Sequence, residues 1–263
     1  MKTFVFDLDD TLLNREKQVG ENTRSTLIEL AHSGSKIIFA TSRPERAVNR
    51  FIDSKLLSLA TLITLNGAIL RESPTQISRF SKWRDKAIKL IEHPELSRIA
   101  HFSVEFDGHD FASNANYTDK ELDTIQSATR EMLIPLSKME VDKISKVAVD
   151  GLGQNIEKYC DFISTLGMKA IPSMDGTFLN VVDPAVDKSS TLGILLNRLN
   201  IPKQDVIVFG DDIPDMEMMK LGGLAVAMGN ARQEVKAIAD VVIGDCDNDE
   251  IGGFIRQYSQ RYG

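Results

Sequence analysis

Three apolar residues, Phe4, Val5 and Phe6, run straight into Asp7, Leu8, Asp9, Asp10 and Thr11. A short apolar run bounded by polar residues reads as a buried parallel strand. Residues 21–33 then place Leu27, Ile28, Leu30 and Ala31 on one helical face, and Gly34 fits the stop. Residues 36–40 form a second buried strand, ending in Thr41, Ser42, Arg43 and Pro44. Pro44 opens a helix that runs to about residue 54. Residues 61–65 form a third strand, which ends at Asn66, Gly67 and Ala68. Strand, helix, strand, helix, strand is the start of a doubly wound sheet.

The rhythm breaks between residue 69 and about residue 184. Helical patterns fall at 81–92, 119–131 and 154–166, with strand-like runs at 100–106, 141–149, 168–171 and 178–182. Asp107 and Gly108 read as a turn, and 172–176 as a hairpin connection. From Lys188 the α/β alternation returns. Helices are expected at 189–199, 216–221, 231–239 and 250–258, and strands at 205–209, 223–227 and 241–243. The fold class is α/β: a doubly wound parallel-sheet core from residues 1–80 and 185–263, with an α+β domain inserted at 81–184.

Composition changes this picture little. The 263 residues are 42% apolar and 26% charged, ordinary for a globular chain. The net charge of −7, with no long basic run, argues against nucleic acid or an anionic membrane as partner. The run after Met1 is broken at Asp7, so no signal peptide is expected there, and no apolar stretch approaches membrane length. The expected compartment is cytoplasmic, where Cys160 and Cys246 stay as thiols. Without secretion, the sequon Asn116-Tyr117-Thr118 carries no meaning.

The chemistry gathers at strand ends. Carboxylates at the end of a buried strand are costly unless something neutralises them, and a divalent metal does that. Asp7, Asp9, Asp10 and Thr11 follow one strand. Thr41, Ser42 and Arg43 follow another, Asn66 a third, and Asp211, Asp212 and Asp215 a fourth. Lys188 opens a helix. In a parallel sheet all strand C-termini share one edge, so these groups can converge there. Each has a plainer use taken alone: Thr41 as a helix cap, Arg43 in a surface pair, Asn66 as a turn residue, Lys188 as a solvated helix start.

Their order and spacing resemble the haloacid dehalogenase superfamily of phosphohydrolases. The long insertion, the Asn66-Gly67-Ala68 turn and the tail Val226-Ala227-Met228-Gly229-Asn230-Ala231 resemble its Cof-type subfamily, which carries a type IIB cap. The resemblance implies that Asp7 is the nucleophile, forming an aspartyl-phosphate. Asp9 would be the general acid and base. Mg²⁺ would be held by Asp7, the Asp9 carbonyl and Asp211, with Asp215 supporting the metal shell or fixing Lys188. Thr41 and Lys188 would bind the phosphoryl oxygens, and Ser42, Arg43 and Asn66 are further candidates for substrate binding. The cap would close over the site and select among small phosphorylated metabolites, sugar phosphates first and cofactor precursors second. The expected assembly is a monomer or a weak homo-oligomer. Asp10 stands where many relatives have glycine, Pro214 where asparagine is common, and Ser189 where glycine is usual.

Three other functions compete. A receiver-type signalling module also clusters acids, a hydroxyl and a lysine, but its phosphorylated acid ends the third strand, where this chain has Asn66. A sugar-phosphate sensor that kept the fold would bind without turnover. A phosphotransferase would use the same aspartyl-phosphate. Gly151-Leu152-Gly153 looks like the opening of a dinucleotide fingerprint, but Ile156 occupies the third glycine position. His101 and His109, in the insertion, read as structural.

Overall fold

The structure is a computed structural model. It describes every residue except 74, 75, 81, 154, 155, 174, 175 and 263, and leaves out the side chains of 76, 79 and 262. The residues fall into two compact units. The first comprises Met1–Ser42, Val48–Ser78 and Lys188–Gly263. The second comprises Arg43–Ala47 and Arg79–Asp187.

The chain begins β1 (Thr3–Phe6), α1 (Glu21–His32), β2 (Lys36–Ala40), α2 (Glu45–Phe51), α3 (Ser54–Leu57), β3 (Ala60–Thr64), β4 (Ile69–Ser73) and β5 (Gln76–Arg79). It continues through α4 (Arg84–Ile91), α5 (Leu96–Ile99), β6 (His101–Glu105), β7 (Phe111–Ser113), α6 (Asp119–Thr124), β8 (Leu133–Pro135), β9 (Lys146–Asp150), α7 (Ile156–Thr165), β10 (Lys169–Pro172) and β11 (Leu179–Val182). It ends with α8 (Lys188–Arg198), β12 (Val206–Gly210), α9 (Met216–Met219), β13 (Leu224–Ala227), α10 (Gln233–Ile238), β14 (Val241–Val242) and α11 (Glu250–Tyr262).

In the first unit the eight strands lie in the order β14-β13-β12-β1-β2-β3-β4-β5. The run from β14 to β3 is parallel, as expected. β4 turns back antiparallel on β3, an extension that the mixed pattern after Asn66 did not announce. β1 is central, and Phe4, Val5 and Phe6 are at most 1% exposed. Phe6 stacks on Phe209 at 4.7 Å between ring centroids. Burial on this scale stabilises by roughly 2 kcal/mol per large side chain. It fixes the strand end that carries Asp7.

The helix expected from Pro44 to about residue 54 is α2, which stops at Phe51. A further helix, α3, was not expected; Asp53 caps it, accepting from the Lys55 and Leu56 amides. Gly20, before α1, caps nothing with a side chain. Asp249, from the far end of the chain, takes that part by accepting from the Asn22 and Thr23 amides at 2.8 and 3.0 Å.

In the second unit six strands lie in the order β10-β11-β9-β6-β7-β8, antiparallel except for β7 with β8. Asp107 and Gly108 lie in the connection between β6 and β7, with Gly108 at φ +90°. The helix expected over 119–131 stops at Thr124. Ser127 takes a left-handed conformation, and the Ala128 amide bonds back to the Leu122 carbonyl, which closes the helix end. The strand expected over 141–149 starts only at Lys146, because 141–143 form a tight helical turn. Of the 81–92 and 154–166 helices, residues 81, 154 and 155 lie outside the described residues. So does the middle of the 172–176 connection, whose ends close through the Gly176 amide on the Ser173 carbonyl. Among the described residues no helix is long and apolar enough to cross a membrane.

Candidate active site

The Asp7 amide continues the β1 ladder onto the Phe209 carbonyl of β12. Its side chain therefore leaves the sheet at the strand's carboxyl end and is only 8% exposed. The chain then turns sharply, with the Thr11 and Leu13 amides bonding to the Leu8 carbonyl. Asp10 sits in the turn at φ +56°, a left-handed position that a glycine adopts without strain. That geometry accounts for the glycine expected there in relatives. Here the Asn230 side-chain amide steadies the turn, donating to the Asp10 carbonyl at 2.7 Å.

Lys188, the first residue of α8, is buried and bridges two acids. Its ammonium lies 2.5 Å from Asp7 Oδ1 and 2.9 Å from Asp215 Oδ1. The other Asp215 oxygen accepts from the Asp211 and Asp212 amides at 3.3 and 3.2 Å. Asp215 thus fixes Lys188 and shapes the loop that carries Asp211. It can reach this place because Gly210 has no side chain, since a Cβ there would come within 2.7 Å of the Asp215 Cβ. Pro214 sits inside the 213–215 turn, where a missing amide is tolerated. Asp212 points elsewhere: it caps that turn through the Ile213 amide and pairs with Arg232 at 2.6 Å.

Thr41 and Asn66 are joined through their backbones. The Thr41 amide donates to Ile63, and the Asn66 amide donates to the Thr41 carbonyl at 3.1 Å. Leu65 and Asn66 are both left-handed, at φ +51° and +59°. A buried leucine in that region is strained, and such strain gathers at functional sites. Asn66 Oδ1 is buried without a hydrogen-bond partner, as is Thr64 Oγ1. The turn is braced from α8, where Thr191 donates to the Gly67 carbonyl at 2.6 Å. Ser42 and Arg43 are half-buried, and Arg43 groups with the second unit rather than with Asp7.

One oxygen each from Asp7, Asp211 and Asp215 lies within 4.8 Å of the others. Three carboxylates against one ammonium leave an excess of buried negative charge. Burial, and then the Asp215 charge, push Asp7 well above the usual carboxylate range, with Lys188 opposing. Burial pushes Asp211 up to about 7, although its bond from Thr11 at 2.7 Å works the other way. Burial disfavours the Lys188 ammonium, but Asp215 and Asp7 outweigh that and hold it protonated. Hard oxygen donors with surplus charge suit a divalent cation such as Mg²⁺. Asp245, Cys246 and Asp247 also cluster, but the Arg15 guanidinium already spans both carboxylates.

The structure thus brings Asp7, Asp211, Asp215 and Lys188 together, with Thr41 and Asn66 paired on the adjacent strand ends. The sequence reading quoted Thr11 and Asn230 but gave neither a part of its own. A hydroxyl two residues beyond Asp9 was a usable signal for Thr11. Asn230 stood in the quoted tail motif, but its contact with Asp10 spans 220 residues and nothing local announced it.

The sequence model of the haloacid dehalogenase-like hydrolases matches residues 4–255. An HMP-PP phosphatase from Escherichia fergusonii is 26% identical over 262 residues, covering 96% of this chain and 94% of that one. A crystal structure from Thermotoga maritima superposes with a TM-score of 0.85 at 24% identity, covering 97% of both chains. A sugar phosphatase of HAD subclass IIB superposes at 0.76 with 20% identity, over 98% of this chain and 99% of that one. At such identities the two structures speak for the fold.

Proposed function

The chain belongs to the haloacid dehalogenase-like hydrolase family, and from that premise we propose that it is a Mg²⁺-dependent phosphomonoesterase of small phosphorylated metabolites, sugar phosphates first. The observation that carries this reading is the buried Asp7 carboxylate, held 2.5 Å from Lys188 beside two further acids. In this reading an Asp7 oxygen attacks phosphorus, the bond to the ester oxygen breaks, and Asp9 gives its proton to the departing alkoxide. Water then attacks the aspartyl-phosphate, Asp9 takes the water's proton, and phosphate leaves with Asp7 restored. Lys188 offsets the growing charge on the phosphoryl oxygens, and Thr41 and Asn66 offer further donors to them. Asp7, Asp211 and Asp215, with the Asp9 carbonyl, would hold Mg²⁺, which when bound offsets the repulsion between carboxylate and phosphate dianion.

The E. fergusonii relative favours a second substrate reading, HMP-PP itself. Phosphate release from a panel of sugar phosphates and HMP-PP, with Mg²⁺ and with EDTA, separates the two. The native chain should release phosphate only with Mg²⁺, and Asp7→Asn should abolish release. Full activity in Asp7→Asn would sink the mechanism. Binding of a sugar phosphate without turnover would make the protein a sensor, and transfer of phosphate to a second sugar would make it a phosphotransferase.

A further inference from the structure

Residues 13–19 form a small arm beside Asp9. Leu13 bridges to both Asp9 and Val19. The Asn14 amide donates to the Gln18 carbonyl at 3.0 Å, the Lys17 amide to the Asn14 carbonyl at 2.9 Å, and the Gln18 amide to Asn14 Oδ1 at 2.8 Å. The tip of this arm is Lys17, at φ +61°. A left-handed lysine costs roughly 1 kcal/mol or more, and glycine or asparagine would sit there at less cost. The arm delivers the Lys17 ammonium to 2.9 Å from Asp9 Oδ1 and 3.6 Å from Asp10 Oδ1. The Asp10 backbone is meanwhile pinned by Asn230.

We propose that Lys17 is a positioning residue, whose ammonium holds one oxygen of the Asp9 carboxyl group and so directs the other, which carries the proton, at the leaving group. This rests on the phosphomonoesterase reading above. The Asp9 side chain is 28% exposed and lies outside the group formed by Asp7, Asp211 and Asp215. Only one Asp9 rotamer directs its oxygen at a leaving group, and the Lys17 ammonium is one of the partners that hold the side chain. An ordinary surface ion pair would contribute at most about 1 kcal/mol to stability and nothing to chemistry.

The two roles separate by leaving group. The value of kcat/KM is measured for the native chain, Lys17→Ala, Lys17→Met and Lys17→Arg, on a series running from p-nitrophenyl phosphate to alkyl phosphates. Nitrophenolate departs without a proton, whereas an alkoxide needs one. In kcat/KM, which ends at departure of the leaving group, Lys17→Ala and Lys17→Met should lose about tenfold on alkyl phosphates and less than about twofold on p-nitrophenyl phosphate. Lys17→Arg should restore most of the loss. An equal loss of kcat/KM across the series, or no loss, overturns the positioning role. Unfolding of both neutral variants, read by circular dichroism, makes Lys17 structural and overturns it too. An inactive native chain overturns the phosphomonoesterase reading as well. An active, Asp7-dependent native chain whose leaving-group dependence is unchanged in the variants overturns the role of Lys17 alone.

Discussion

Asp211→Asn should stabilise the metal-free protein while destroying its activity. Burial first, and then Asp215, Asp10 and Asp212, raise the Asp211 carboxyl from 3.8 to about 7. A shift of about 3 units at 1.36 kcal/mol each sets a ceiling of about 4 kcal/mol on the repulsion felt by the charged form. Asp211 is partly exposed, so about half of that, roughly 2 kcal/mol, is the working figure. The amide oxygen introduced there still accepts from Thr11, so no hydrogen bond is lost. Between pH of about 4 and 7 the folded chain keeps a proton that the unfolded chain has released. Metal-free stability therefore falls as pH rises through that window, and the variant lacks this contribution. Thermal unfolding in EDTA, followed by circular dichroism, reads the difference. The variant should match the native chain near pH 4 and exceed its Tm by roughly 4–8 °C at pH 7.5. Mg²⁺ should raise the native Tm at pH 7.5 far more than the variant's, and phosphate release by the variant should drop at least about a hundredfold. A variant less stable than the native chain in EDTA at pH 7.5 would refute the reasoning.

The second unit offers two further tests. Arg46 and Glu105 are 2% and 5% exposed and meet through two bonds at 2.6 and 2.7 Å, so Arg46→Met leaves a buried carboxylate and should cost about 3–5 kcal/mol. Hydrogen exchange at the β6 amides should accelerate accordingly, and adding Glu105→Met should recover part of the loss. Burial pushes the Lys146 ammonium down to about 8 from 10.5, with Glu105 opposing and Arg46 and Arg43 adding to it. The unfolded chain holds that proton between pH 8 and 10.5 after the folded chain has shed it. Native stability should therefore rise relative to Lys146→Met across that window, by at most about 3 kcal/mol, in paired urea titrations.

The sheet was legible because its inner strands are apolar on both faces. Phe4-Val5-Phe6, Ile37-Ile38-Phe39 and Val206-Ile207-Val208 admit no other place than a sheet covered on both sides. The gathering of polar residues was legible because the carboxyl ends of the parallel strands, β14 to β3, face one edge, so a polar residue that stops such a strand is delivered to that edge. What failed was short or local. β7 and β8 have three residues each, too few to show a period of two. Leu122, Ile125 and Ala128 keep helical spacing past the point where the helix stops at Thr124 and the left-handed Ser127 turns the Ala128 amide back onto Leu122. Lys17 gave no signal, because its meaning lies in a left-handed turn that lysine rarely adopts.

That same edge explains why the site is the least relaxed part of the first unit. Asp10, Lys17, Leu65 and Asn66 all lie at positive φ within or beside it. Asn66 Oδ1 and Thr64 Oγ1 are buried unpaired, and Asp211 crowds Asp7 and Asp215, the two acids that share Lys188. A chain selected for stability alone would place glycine at the turns and an apolar residue at Asp215, which is 1% exposed. The layers below, from Phe4 to Phe209, are packed tightly enough to hold these groups in place against their own repulsion. A phosphoryl dianion entering with a divalent cation would meet donors and charges already aimed, so little reorganisation would remain for the reaction itself. On this view the strain serves the reaction rather than the fold. Substitutions that relieve it should raise stability and lower turnover together.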